Sequence, residues 1–133
     1  MGEAVRVAHA VFAWVAITLN LLAGIWGLAA LRWPPLRGRR FWLGVVVAEG
    51  ALAIQVLLGF ALIGVFGHEL SDNFHAFYGV VIILTIALAW IYKGQVGEWK
   101  VLSSAAQREL LLYGLVSLFL MGLGIRGALI LLA

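Results

Sequence analysis

Four long apolar runs occupy most of the chain: Val5 to Leu31, Phe41 to Phe66, Phe74 to Tyr92 and Leu110 to Ala133. A helix rises about 1.5 Å per residue and the hydrocarbon core of a bilayer is about 30 Å thick, so roughly 20 apolar residues make one crossing. Each run is long enough. With 133 residues, 65% hydrophobic and 11% charged, the chain has too little polar sequence to cover four such helices in water. The runs therefore predict an all-α protein: a single domain over residues 1–133, folded as an integral membrane four-helix bundle with helices at about 5–31, 41–66, 73–92 and 109–132. The first run is longer than a signal-peptide core and lacks a cleavage site, so it is expected to stay as a span.

The formal net charge of +3 would suit a nucleic-acid ligand if the basic residues were gathered on one surface. Instead seven of the nine fall in two short connections between apolar runs, which reads as membrane topology with no nucleic-acid partner. The first connection, Arg32-Trp33-Pro34-Pro35-Leu36-Arg37-Gly38-Arg39-Arg40, joins a helix-stopping proline pair to four arginines and is expected in the cytoplasm. The third carries Lys93, Lys100 and Arg108 and falls on the same side if all four runs cross. The second, Gly67 to Asp72, has no Lys or Arg. These assignments put the N and C termini on the extracytoplasmic side of a cell membrane, of the prokaryotic inner or plasma type. Ser71 or Asp72 can cap the third helix, and Trp14, Trp33, Trp42, Trp90 and Trp99 are expected near the interfaces. Small residues along the first run (Ala16, Asn20, Ala23, Gly27) and the fourth (Gly114, Ser117, Gly124) suit close helix packing.

Cysteine is absent, so a cofactor has to be held by His, Met, carboxylate or packing. Polar residues inside spans are costly and are the first candidates for function. His9 and His75 each lie about one turn inside the outer end of a helix, and those two helices run in the same direction. Their imidazoles are thus expected at similar depth, where they can provide both axial ligands of one haem; a structural pair bonding across helices is the alternative. Gly79, Ala13 and Gly59 offer clearance for a flat macrocycle, and Phe12, Phe74, Phe77 and Tyr78 can pack its edges. Arg6 and Arg126 are the basic residues of the outer half, placed either for haem propionates or for lipid phosphates. His68 lies in the outer connection. Glu49, Gln55 and Asn20 are polar positions inside spans whose roles the sequence leaves open.

Two stretches resemble haem A synthase: Gln55-Val56-Leu57-Leu58-Gly59 in the second run, and His75-Ala76-Phe77-Tyr78-Gly79 opening the third. In that family a Gln-x-x-x-Gly helix precedes a helix that begins with a haem-ligand histidine. Arg6-Val7-Ala8-His9-Ala10 is similar to the family's other ligand-bearing helix. The resemblance spans three of the four runs and implies one four-helix half of an eight-helix enzyme, with His9 and His75 as axial ligands of a b-type haem. The family's catalytic half has a Glu three residues before the first ligand and an Arg just after it, where this chain has Arg6 and Ala10. Haem binding is what the comparison implies, more than catalysis.

The leading expectation is a membrane b-type cytochrome-like protein with one haem b per chain, bis-histidine ligated near the outer surface and acting in electron transfer or haem handling. Two imidazoles leave no open iron position, which favours electron transfer over oxygen activation. A second reading is a non-enzymatic small subunit of a larger membrane redox or photosynthetic complex, docking through the Gly- and Leu-rich fourth helix. A third is a haem-modifying enzyme formed as a homo-oligomer.

Overall fold

The computed structural model describes residues 2–65, 67, 73–95 and 107–132. The four apolar runs are four helices: α1 (Gly2–Arg32), α2 (Arg39–Gly64), α3 (Asn73–Gln95) and α4 (Gln107–Leu132), with a 3-10 turn at Pro34–Arg37 after α1. No strand occurs among the described residues. All four helices are long and apolar enough to cross a membrane, which makes the chain a multi-pass membrane protein by length and composition. His68, Ser71, Asp72, Trp99 and Lys100 lie outside the described residues.

Why α1 stops is visible in its last turn. Trp33 takes an extended conformation (φ −118°, ψ 96°), as a residue before proline must, because the following ring excludes the α region. The helix-end carbonyls this leaves open are taken by Arg37, whose guanidinium donates to Ala30 O at 2.7 Å and Leu31 O at 2.9 Å. A cation at the negative end of the helix dipole adds to that closure. Of the four arginines in this connection, Arg37 is thus committed to the fold, while Arg32, Arg39 and Arg40 are exposed.

Around the bundle the order is α1, α2, α3, α4, with α1 packed on α2 and α4, and α3 packed on α4 and more lightly on α2. The α1–α4 contact is made through glycine. A Cβ on Gly27 would lie 3.0 Å from both Gly114 Cα and Leu110 O, so the two backbones touch and a side chain would hold them apart. Helix α3 is the least enclosed: 11% of its apolar window is buried, against 33–39% for the other helices. Phe74, Phe77, Val80, Leu84, Leu88 and Ile91 form an exposed apolar stripe along it, which lipid can cover.

The core has two parts. One gathers Ala16, Leu52, Val56, Ile82 and Leu120 in the middle of the bundle. The other, at the end where α1 stops and α2 begins, is aromatic: Phe41, Trp42 and Tyr113, with Trp90 packed against them. Two expectations are corrected here. Trp42 is fully buried and stacks edge-on against Tyr113 at 5.1 Å, so it is a core residue although it sits near the end of its run. Lys93, expected in the third connection, belongs to the last turn of α3, because the helix continues past Tyr92 to Gln95. It is buried, with its ammonium 2.9 Å from Glu109 and 3.8 Å from the centroid of Trp42. A buried ammonium needs such partners.

Candidate cofactor site

The end of the bundle where α1 and α3 begin holds a cavity of about 350 Å³ with walls from all four helices, inside the usual range for small-molecule sites of roughly 300–1,000 Å³. Helical spacing places its residues. His9, Ala13 and Ile17 follow one face of α1, and His75, Gly79 and Ile82 one face of α3 with Tyr78 beside them, at spacings of three or four positions along each face. The walls are mainly apolar, and the polar side chains among them are His9, His75, Gln55, Tyr78 and Arg6.

The two imidazoles face each other across this space, ring centroids 5.9 Å apart and planes at 87°. Each is tied to a backbone carbonyl on a neighbouring helix. His75 Nδ1 lies 2.9 Å from Gly127 O on α4, and His9 Nδ1 lies 3.1 Å from Gln55 O on α2. A carbonyl only accepts, so the His75 contact calls for a hydrogen on Nδ1 and a lone pair on Nε2. That is how histidines that bind metals are commonly oriented. Gln55 reaches His9 with its side chain as well, Nε2 lying 2.9 Å from Nδ1 and 2.7 Å from His9 O. A Cβ on Gly59 would lie 3.0 Å from His9 Cε1, so the absence of a side chain there makes room for the ring.

The structure brings together most of the positions singled out from sequence and separates some. His9, His75, Arg6, Ala13, Gly59, Tyr78 and Gly79 line the cavity; Phe12 and Arg126 are not among its lining residues. Phe12 packs against the central core, and Arg126 is exposed on α4. Phe74 and Phe77 are 63% and 55% exposed and point away from the cavity. Arg6 stands at the rim in a bidentate pair with Glu3, one turn back, at 2.6–3.2 Å. Glu49 and Asn20 lie outside the cavity, both buried; Asn20 links α1 to α2 by donating to Ala48 O at 3.0 Å, and both carboxyl oxygens of Glu49 are without a protein hydrogen-bond partner among the described residues. Sequence reasoning missed Gly127, whose carbonyl holds His75, and the main-chain role of Gln55. The Gly124 and Gly127 pair at helical spacing was the available signal.

Among the described residues no group of three or more His, Cys, Asp and Glu is placed to hold a metal. No family model, curated protein or solved structure matches the chain, and the resemblance to haem A synthase rests on the quoted motifs.

Proposed function

We propose that the chain binds one b-type haem between α1 and α3 through His9 and His75, and serves electron transfer or haem handling at the outer face of a cell membrane. The facing histidine pair carries this reading. The two ring centroids are 5.9 Å apart, and each ring has Nδ1 beside a carbonyl of a neighbouring helix, so His9 and His75 are the residues that would hold the iron. Two protein nitrogens make an incomplete set for a bare ion but complete the coordination of an iron already held by four pyrrole nitrogens. The apolar walls and the small residues Ala13, Gly59 and Gly79 suit a flat macrocycle.

Bound haem would supply one-electron iron chemistry. The residues of the chain then do three things: Gly127 O and Gln55 O orient the two rings, the apolar walls exclude water, and Arg6 at the rim offers a cation to a propionate, in competition with Glu3. The arginine-rich connection supports an orientation with the histidine end outside.

Absorption spectra of the purified protein, oxidised and dithionite-reduced, test the reading. Sharp reduced bands of a bis-imidazole haem are expected, and either His9→Ala or His75→Ala should abolish that spectrum. Protein purified without haem from haem-replete cells would refute it.

A further inference from the structure

The two histidines are held differently. His75 Nδ1 has one hydrogen-bonding partner among the described residues, Gly127 O. His9 Nδ1 has two, Gln55 O at 3.1 Å and Gln55 Nε2 at 2.9 Å. The orientation of the amide is settled by its other contact: Nε2 lies 2.7 Å from His9 O, and turning the amide over would set two oxygens against each other at that distance. Oε1 is buried with no protein partner among the described residues, so both anchors of this side chain are on His9.

In a neutral imidazole, Nδ1 carries either a hydrogen or a lone pair. With the hydrogen, His9 donates to Gln55 O but meets the Gln55 N–H donor to donor. With the lone pair, it accepts from Gln55 Nε2 but meets the Gln55 carbonyl acceptor to acceptor. Either tautomer satisfies one neighbour and opposes the other, which narrows the free-energy gap between them. For His75 the lone carbonyl selects Nδ1–H.

We propose that Gln55 holds His9 between two tautomers while His75 is held in one, making His9 the weaker, exchangeable ligand of the pair and Gln55 its positioning residue. The tautomer half stands on these contacts alone; the ligand half rests on the haem reading above. Iron needs the Nε2 lone pair, so a tautomer that places hydrogen there is lost to ligation, and the apparent affinity falls with the competent fraction. Of the two residues that would hold the iron, His9 would be the one released.

Two measurements decide this. In the haem-free full chain, in nanodiscs at a pH where imidazoles are neutral, ¹⁵N chemical shifts of labelled histidine distinguish the tautomers, with signals assigned by single substitutions. His75 is expected as Nδ1–H alone and His9 as a mixture, which Gln55→Leu converts to Nδ1–H by removing the competing donor. A single tautomer at His9 in the wild type, or no change in Gln55→Leu, overturns the tautomer half. In the reduced haem-loaded protein, carbon monoxide is expected to bind slowly, more slowly by about 2- to 10-fold in Gln55→Leu, the factor that corresponds to the net worth of one hydrogen bond. His9→Ala should retain haem and bind carbon monoxide at once, whereas His75→Ala should lose haem. Equal haem loss in the two alanine variants, or unchanged carbon monoxide kinetics in Gln55→Leu, overturns the ligand half. A wild type that takes up no haem while showing the expected tautomers refutes the haem reading and the ligand half, and leaves the tautomer half standing.

Discussion

At Gly59 a single methyl group decides where the His9 ring can lie. The Cβ of an alanine there would stand 3.0 Å from Cε1 of the imidazole, tighter than nine in ten such contacts, so the ring would have to shift from its place beside Gln55 O. Gly59→Ala is therefore expected to lower haem affinity about 10- to 100-fold, as when a ligand loses the partner that orients it, measured by haem titration of the reconstituted protein. Gly79 gives a comparison. Its added Cβ would meet Val56 Cγ1 at 3.4 Å, near ordinary contact and away from either imidazole, so Gly79→Ala should lower affinity less than Gly59→Ala does. The sequence marked both glycines as clearance for the same cofactor and offered no means of ranking them. It also placed His9 and His75 at one depth, because depth follows from counting residues along helices of known direction. The carbonyls of Gln55 and Gly127 were beyond such counting, since every residue has a carbonyl and only packing shows which one an imidazole meets.

Helix by helix, what the sequence disclosed was length and polarity; what it concealed was which polar residues the neighbouring helices cover. Lys93 read as loop because charge usually ends a span, yet Glu109 and Trp42 allow α3 to carry it into the core. Lys93→Met removes the ammonium 2.9 Å from Glu109, and removing one member of a buried pair costs about 3–5 kcal/mol. Because Glu109 is partly exposed, with 21% of its side chain accessible, a loss at or below the lower end, about 3 kcal/mol or less, is expected in detergent unfolding. The double variant Lys93→Met with Glu109→Leu should recover most of it. The α1–α4 contact gives a second prediction. Gly27→Ala gains up to about 1 kcal/mol in helix propensity, but its Cβ would press on Gly114 Cα and Leu110 O at 3.0 Å, and backbone atoms yield less readily than side chains. Overpacking of this sort costs about 1–3 kcal/mol, so the net effect should be destabilising. Gly50→Ala, with nothing within 4 Å of its added Cβ, should be neutral or stabilising in the same assay.

For the molecule as a whole the open quantity is its direction in the membrane, on which the proposed location of the histidine pair depends. The chain contains no cysteine, so a single introduced thiol reports unambiguously. Gly38 and Gly64 lie at opposite ends of α2, and neither has anything within 4 Å of an added Cβ. In intact cells a membrane-impermeant maleimide should label Gly64→Cys and spare Gly38→Cys, and lysis should expose the latter. The cause can be tested as well as the outcome. Arg37 closes the end of α1 through Ala30 O and Leu31 O, so removing it would confound topology with folding. Arg32, Arg39 and Arg40 are exposed and free of that task, and orientation follows the Lys and Arg imbalance between connections. Replacing these three together by glutamine should therefore invert a measurable fraction of molecules while the folded core survives, seen as label gained at Gly38→Cys in intact cells. Unchanged labelling would mean that Lys100 in the third connection and Arg108 in the first turn of α4 are sufficient to set the direction.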